Sequence, residues 1–199
     1  VFAPGYGAPF IAEPDGRQRK GVLADYEAFC KLVQTSDVIG MNGFMMVVPQ
    51  DLPSGTAHKQ MLLSSMLLCD KPFMGCPESR QGARDTLEMA ALLFGGRRRL
   101  ADEGPASVSL ISSQSPLQFH ADMTGALMEL AQAGQACVID SLVMAGSSGP
   151  VTLAGALALQ NAEILAGVVL SQLIRPGAPV LYGGLSTAME MRSGGLAVG

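Results

Sequence analysis

The sequence has no tryptophan, only two histidines and four cysteines, and charged residues make up 15% of its 199 positions. Low charge together with 48% apolar residues excludes an intrinsically disordered chain. A net charge of −4 without a basic stripe argues against a nucleic-acid-binding surface. The cysteines show neither CxxC nor any other zinc-type spacing, so we expect buried, reduced thiols in a cytoplasmic protein and no metal site.

The few charges are unevenly distributed along the chain. Residues 1–104 carry 23 charged side chains, whereas residues 105–199 carry seven. The surface of a freestanding domain is roughly 25–35% charged. We therefore expect residues 105–199 to be covered by further chain or by a partner subunit, as in a homo-oligomer. The start at Val1, without an initiator methionine, fits the same expectation, in which residues 1–199 are one partial domain of a longer chain.

One apolar stretch is long enough to cross a membrane. Val151–Ile174 spans 24 residues, but an ionisable side chain, Glu163, lies near its middle. A charge at the centre of a bilayer costs several kcal/mol, so we predict a buried helix of a soluble protein. We expect Glu163 to face a polar seam between helices or a subunit contact, because an unpaired buried carboxylate is costly.

Strand-like and helix-like runs alternate at intervals of about 35 residues. This alternation predicts βα units around a parallel sheet. The predicted strands are Val1–Tyr6, Val38–Val48, Pro72–Cys76, Ser107–Ser113, Ala136–Met144 and Val180–Leu185. The predicted helices are Leu23–Gln34, Ala57–Leu68, Arg80–Phe94, Phe119–Ala133 and Val151–Ile174.

The period of the repeat favours a particular architecture. It fits the (β/α)8 TIM barrel, of which about six βα units are visible. Because eight units close a barrel, the chain is either an incomplete barrel or an open, doubly wound sheet. The low charge of the second half favours the incomplete barrel.

Active sites of parallel α/β folds lie at the carboxyl ends of the strands. The loops predicted there are rich in Gly, Ser, Gln and Pro and poor in His and Lys. Such loops suit a site that positions a substrate better than one that transfers protons, and they identify no catalytic residue. The candidate substrate-binding residues are Tyr6, Gln50, Asp51, Gln114, Ser147, Ser148, Gly149, Tyr182 and Glu190.

These residue types suggest two kinds of contact. Aromatic faces together with a carboxylate hold an ammonium group that has no N–H to donate. Tyr6, Phe10 and Tyr182 lie near strand ends and suit this role, with Asp51 or Glu190 as the carboxylate. The alternatives are chance placement of the aromatic residues and ordinary solvated loop acids. The Gly146–Pro150 loop precedes the longest helix, whose N-terminus could hold a carboxylate or a phosphate. An ordinary capped turn is the alternative. No Walker lysine or GxGxxG pattern is present, which excludes a nucleotide-binding loop.

Other polar residues receive simpler interpretations. His58 and His120 each open a predicted helix and are expected to be surface or capping histidines. The run Arg97–Arg99 is expected to be a solvated helix exit. No GxSxG elbow or Ser-His-Asp order is present.

Several motifs resemble one family. The run SGPVTLAGALALQNAEILAG at 148–167, its continuation RPGAPVLYG at 175–183, and MEMRSGG at 189–195 are similar to the trimethylamine methyltransferase family of corrinoid-dependent methylamine and betaine methyltransferases. Shorter runs at Pro49–Asp51, Asp70–Gly75, Leu87–Ala90 and Ser115–Leu117 look like the same family.

The resemblance implies a TIM barrel that moves a methyl group from a tertiary or quaternary amine, such as trimethylamine or glycine betaine, to the Co(I) corrinoid of a separate protein. It implies no cofactor bound tightly by this chain, and family chains roughly twice this length. Trimethylamine-specific members carry a pyrrolysine, and none appears here, so the resemblance points to the betaine-type members or to a pyrrolysine outside these residues.

Two other functions stay open on the sequence. One is a different barrel enzyme that uses the Gly146–Gly149 loop to hold a phosphate. The other is a non-catalytic barrel fragment that docks a partner through its charge-poor half.

Overall fold

The computed structural model describes residues 3–4 and 7–197. Its helices are α1 (Leu23–Thr35), α2 (Ala57–Leu68), α3 (Arg80–Leu93), α4 (Arg97–Glu103), α5 (Ala121–Gln132) and α6 (Leu153–Ile174). Its strands are β1 (Phe10–Ala12), β2 (Gln18–Lys20), β3 (Phe73–Met74), β4 (Ser107–Ser112), β5 (Ala136–Asp140), β6 (Met144–Ala145), β7 (Val180–Tyr182), β8 (Thr187–Met189) and β9 (Leu196–Ala197).

The main sheet has four strands in the order β3-β4-β5-β7. The pairs β3-β4 and β5-β7 are parallel, and helices connect successive strands. The predicted α/β class with a parallel sheet is therefore confirmed. Closure into an eight-stranded barrel stays a prediction.

Two small sheets were not predicted. β1 and β2 form an antiparallel hairpin near the N-terminus. β6, β8 and β9 form a second sheet, in which β6-β8 is parallel and β8-β9 is antiparallel. The predicted strand Ala136–Met144 is consequently two strands: β5 belongs to the main sheet and β6 to the small one.

The predicted strand Val38–Val48 is wrong as a regular strand. This segment forms isolated bridges, among them parallel bridges from Asn42 to Phe73 and from Val47 to Ala8. Gly40 and Gly43 interrupt it, and glycine weakens a strand because it has no side chain to pack. The predicted strand Val1–Tyr6 lies largely outside the described residues.

All five predicted helices are present, and their ends lie within two residues of the predicted ends. Two differences have an identifiable cause. Arg97–Arg99 does not exit a helix but begins α4, in line with the good helix propensity of arginine. The longest helix begins at Leu153 rather than at Val151, because the Thr152 hydroxyl accepts the N–H of Gly155 and caps it.

The described residues divide into two compact units. The first comprises Val1–Cys76 and Asp85–Val108, and the second comprises Pro77–Arg84 and Ser109–Gly199. The first unit has its core between α1 and α2, where Tyr26, Cys30 and Val33 form one buried helix face. The Tyr26 hydroxyl donates to the Gly43 carbonyl at 3.1 Å, which satisfies its polar end inside that core.

In the second unit, α6 packs on β5 through a close approach. A Cβ added at Gly167 would lie 2.7 Å from Ile139 Cγ2, so glycine is what allows the contact. The other side of α6 is solvent-exposed and apolar. Its exposed large residues are Leu153, Leu157, Leu165, Val169 and Leu173. The prediction of a buried helix is therefore wrong for most of the surface of α6 in the described chain.

By length and composition alone, α6 could cross a membrane. It is the one such helix among the described residues. Glu163, in its middle, is 2% exposed and faces the protein.

Candidate functional site

Successive residues at the end of β5 face opposite sides of the main sheet. Ile139 contacts α6, and residues two apart in a strand point to the same side. Ser141, two residues after Ile139, likewise faces α6, where its hydroxyl donates to Glu163. Asp140 points the other way, toward Gly183, where a Cβ would lie 2.8 Å from Asp140 Cβ.

Glu163 accepts four hydrogen bonds at the carboxyl ends of β4 and β5. Its Oε2 accepts the hydroxyls of Ser113 at 2.5 Å, Ser115 at 2.8 Å and Ser141 at 2.7 Å. Its Oε1 accepts the backbone N–H of Leu117 at 2.7 Å. The expected polar seam between helices is thus wrong in its location, because the partners of Glu163 lie on loops that follow strands.

These hydrogen bonds decide the ionisation of Glu163. Burial by itself raises the pKa of the carboxyl, but the hydroxyls of Ser113 and Ser141, the Leu117 N–H and the Ser115 hydroxyl together hold the pKa below its usual value. The side chain is therefore a carboxylate at neutral pH, although every one of these donors is uncharged.

Asp140, the last residue of β5, is the second buried carboxyl of this region. It is 1% exposed, and neither of its oxygens has a hydrogen-bond partner among the residues that the structure describes. Burial raises the pKa of the Asp140 carboxyl. The nearby Ser112 hydroxyl offsets only part of that rise, since it does not reach good hydrogen-bond geometry.

The loop after β4 holds the predicted residue Gln114. The backbones of Gln114 and Gln118 exchange two hydrogen bonds, of 2.7 and 3.0 Å. The Ser115-Pro116 peptide bond is cis, and Leu117 has a positive φ of 57°, which is uncommon for a residue other than glycine. The side chains of Gln114 and Leu117 are exposed.

The structure brings the predicted Gly146–Gly149 turn next to the β8–β9 hairpin, which was not predicted but which carries the candidate residue Glu190 in its turn. β6 pairs with β8, and a Cβ at Gly146 would lie 2.8 Å from Met191 Sδ. The Glu190 carboxylate accepts the N–H groups of Arg192 and Ser193 at 3.1 and 2.7 Å. These contacts and the Ser193 hydroxyl hold the pKa of Glu190 below its usual value, so it is ionised at neutral pH.

The turn itself offers hydroxyl groups rather than backbone N–H groups. The N–H of Gly146 donates to the Gly149 carbonyl, and those of Ser147 and Gly149 donate to the Met144 carbonyl. The Ser148 hydroxyl oxygen accepts the N–H of Met144 at 3.0 Å, which leaves its proton available for donation. This geometry does not favour a phosphate-binding loop, which uses free backbone N–H groups.

The other predicted residues are placed separately. The Tyr182 hydroxyl donates to Asn161 Oδ1 on α6 at 3.1 Å, so Tyr182 lies on the helix side of the sheet rather than on the side of Asp140. In the first unit, Asp51 accepts the N–H of Leu23 at 3.0 Å, and Gln50 Nε2 donates to the Pro9 carbonyl at 2.7 Å. Tyr6 lies outside the described residues.

One histidine is in a different environment from the one expected. His58 Nε2 lies 2.7 Å from Asp85 Oδ2, and Lys59 Nζ lies 3.2 Å from the same oxygen. His58 is thus held by a buried carboxylate rather than standing as a surface residue. His120 is confirmed as a helix cap, since its Nδ1 accepts the N–H of Asp122 at 3.3 Å.

Sequence reasoning identified Glu163 as an anomaly but missed its partners, and it missed Asp140 altogether. A signal was present in three serines: Ser113 ends one predicted strand, Ser115 follows it, and Ser141 lies in the carboxyl-terminal half of the next predicted strand. In the part of the chain that the structure describes, no group of three or more His, Cys, Asp or Glu side chains could hold a metal ion.

The whole chain is similar to known proteins of one family. The model of the trimethylamine methyltransferase (MTTB) family matches residues 1–199. A glycine betaine methyltransferase of Desulfitobacterium hafniense (strain Y51) is 54% identical over 199 residues, which is 100% of this chain and 41% of that protein. A trimethylamine methyltransferase MttB of Desulfitobacterium hafniense (strain DSM 10664 / DCB-2) is 33% identical over 187 residues, 93% of this chain and 36% of that protein.

A third relative carries a name that mentions the corrinoid. This proline betaine:corrinoid methyltransferase of Eubacterium limosum is 30% identical over 204 aligned residues, 98% of this chain and 41% of that protein. The chain therefore spans about two fifths of the length of these relatives. Since the family model covers every residue, the chain belongs to the trimethylamine methyltransferase family.

Proposed function

We propose that the protein containing this chain transfers a methyl group from a quaternary or tertiary amine to the corrinoid of a separate protein. The observation that carries the proposal is 54% identity, over the whole chain, to a protein named glycine betaine methyltransferase. That relative favours a betaine-type quaternary amine over trimethylamine. The corrinoid-containing name of a third relative supports a corrinoid protein as the partner.

The chemistry needs positioning more than proton transfer. The carbon–nitrogen bond of the ammonium breaks, the nitrogen keeps the electron pair, and the methyl group passes to the corrinoid, which a partner protein supplies as the second substrate. No proton has to move in this step, which fits loops poor in His and Lys. The task of this chain is to bind the ammonium, orient one methyl group and exclude water.

The Gly146–Gly149 turn and Glu190 suit a zwitterion such as a betaine. The ionised Glu190 offers a negative charge to the ammonium, and the hydroxyls of Ser147 and Ser148 can donate to the carboxylate. We propose these residues with Gly149 and Gln114 as substrate contacts. Tyr6, Gln50, Asp51 and Tyr182 stay candidate substrate contacts predicted from the sequence. Aromatic rings hold such cations by their faces.

We also propose that the protein is cytoplasmic and that it forms a homo-oligomer. All four cysteines, each within the described part of the chain, are reduced thiols with buried side chains, which suits the reducing cytoplasm. The exposed apolar face of α6 supports coverage by further chain or by another subunit of a homo-oligomer.

Calorimetric titration of the full-length protein with glycine betaine, trimethylamine and carnitine tests the function. 3,3-Dimethylbutanoate, in which an uncharged carbon replaces the ammonium nitrogen of glycine betaine while the carboxylate is kept, is the matched control ligand. We expect saturable binding of at least one amine and binding at least about tenfold weaker for the isostere, since tenfold corresponds to about 1.4 kcal/mol. Failure of all three amines to bind would contradict the proposal.

Two variants test whether the Glu190 carboxylate contacts the substrate ammonium. Glu190→Gln should weaken binding of the preferred amine by about tenfold. Glu88→Gln, at an exposed position on α3, is the matched control and should leave affinity unchanged. Equal affinity of Glu190→Gln and the unaltered protein would remove Glu190 from the site without contradicting the function.

A further inference from the structure

Glu163 carries a charge, yet among the described residues its hydrogen-bond donors are all uncharged. It is 2% exposed, and its four donors are three serine hydroxyls and one backbone N–H. Enclosing a carboxylate without a cation is costly. Packing of α6 alone does not require it, because an apolar residue would serve a helix that is mostly apolar.

The four bonds converge from two loops. Three donors, Ser113, Ser115 and Leu117, lie in the loop after β4, and the fourth, Ser141, follows β5. A carboxylate is an acceptor on both oxygens, so it can gather four donors that an amide, with a single acceptor oxygen, cannot. The carboxylate thus ties two loops at the carboxyl edge of the sheet to one point on α6.

The tied loop is held in a conformation that it would not adopt freely. Leu117 has a φ of 57°, which is unfavourable for a branched side chain, and its N–H points to Glu163. Its side chain is 68% exposed, so burial of leucine is not the reason for the conformation. Gln114, in the same loop, is exposed and has its backbone fixed by two bonds to Gln118. Unusual backbone conformations of this kind cluster at functional sites.

We propose that Glu163 is a positioning residue for amine binding: it fixes the Ser113–Gln118 loop so that the side chains of Gln114 and Leu117 are held ready against the methylated amine. The inference rests on the proposed function. Gln114 offers an amide that can hydrogen-bond a substrate carboxylate, and Leu117 offers apolar surface to the methyl groups around the nitrogen. Glu163 itself touches no substrate.

The test compares Glu163→Gln with Glu88→Gln in the full-length protein. Glutamine keeps the size of the side chain but provides one acceptor in place of two. We expect Glu163→Gln to raise the Kd for the preferred amine at least tenfold, to raise KM by a similar factor, and to change kcat at saturating amine by less than about threefold. Glu88→Gln should change none of these.

Hydrogen exchange reports the conformational part of the argument. The amide of Leu117, bonded to a buried carboxylate, should exchange at least tenfold faster in Glu163→Gln, while amides of α1 keep their rates. Faster exchange at Leu117 with an unchanged Kd would overturn the inference, because the loop would then be free to move without consequence for binding. Unchanged exchange and unchanged Kd would overturn it as well.

A milder variant keeps the test decisive if Glu163→Gln does not fold. Ser115→Ala removes one of the four bonds, from a half-buried position, and should raise the Kd for the amine by about threefold to tenfold. An unchanged Kd in a folded Ser115→Ala overturns the inference while amine binding by the unaltered protein still supports the proposed function. Absence of amine binding by the unaltered protein overturns both.

Discussion

At the scale of single residues, two buried carboxyl groups show that donors, rather than burial, decide charge. Glu163 and Asp140 are 2% and 1% exposed. Glu163 receives four hydrogen bonds and has a lowered pKa, whereas Asp140 receives none of good geometry and has a raised one. Each hydrogen bond to the ionised form offsets part of the desolvation cost, and four of them exceed it.

The raised pKa of Asp140 makes stability depend on pH. The folded state binds this proton more tightly than the unfolded chain does, so the free energy of unfolding falls as pH rises from the unfolded to the folded pKa and stays lower above it. Asp140→Asn removes the ionisable group. We expect the free energy of unfolding to rise by about 1 kcal/mol at pH 7 and by less at pH 4.

Urea denaturation at both pH values measures this change. Asp37→Asn, at an exposed position, is the matched control and should shift stability by less than about 0.5 kcal/mol. A loss of stability in Asp140→Asn that is larger at pH 7 than at pH 4 would show that the ionised carboxylate is what the fold requires.

The site could be predicted only in part, because its contacts are distant in sequence. The strand-end rule correctly placed Gln114 and Ser147 in loops, but the partners of Glu163 lie 22 to 50 residues away from it. Nothing local distinguishes Ser113 or Ser141 from other loop serines. Asp140 was missed because it continues an apolar strand, and the side of the sheet that it faces depends on the packing of Ile139.

At the scale of elements, α6 combines two different surfaces. One side, which includes the buried Ile164, packs on β5 through Gly167, and the other is largely apolar and exposed. The apolar composition all round the helix predicted burial, and burial is found only on one side of the described chain. The composition of a helix indicates which of its sides can be buried. Whether a side is buried also depends on whether another segment or subunit packs on it.

The contact between α6 and β5 predicts that a glycine-to-alanine substitution in a helix lowers stability instead of raising it. Alanine favours a helix over glycine by about 1 kcal/mol, yet Gly167→Ala should destabilise by about 1–3 kcal/mol because its Cβ would overlap Ile139. Thermal unfolding measures the effect. The reverse change one residue earlier, Ala166→Gly on the exposed side, should cost about 1 kcal/mol through helix propensity alone. A stabilised Gly167→Ala would mean that helix and sheet can move apart without cost.

At the scale of the whole molecule, the alternation of strands and helices was predictable from the sequence. Which segments pair into sheets, and how the chain divides into units, was not. The predicted bounds of α2 agree with the structure residue for residue, since helix periodicity is local information. The segment 38–48 failed because bridges to distant residues, rather than its own composition, decide whether it forms a ladder. The division into two units was not predicted either.

The four buried thiols provide a probe of global unfolding. Burial raises the pKa of the Cys137 thiol to about 12 and also raises that of Cys30. Because the thiolate is the reactive form, we expect alkylation of the native chain to be slower than that of an exposed thiol by on the order of 100-fold or more. Four thiols per chain should react once urea unfolds it. Ser54→Cys adds an exposed thiol and should react at once with a stoichiometry of one; rapid reaction of the unaltered native chain would contradict the burial.

Among the described residues, β7 lies at one edge of the main sheet, and this position has a consequence for how the chain folds. A free strand edge is a template on which any compatible strand can pair, and Leu181 and Tyr182, both about half exposed, add apolar surface to it. Folding and aggregation therefore compete for the same hydrogen bonds. The outcome of that competition depends on concentration: in dilute solution a strand of the same molecule is the faster partner, while in a crowded overexpressing cell a neighbouring molecule can take its place.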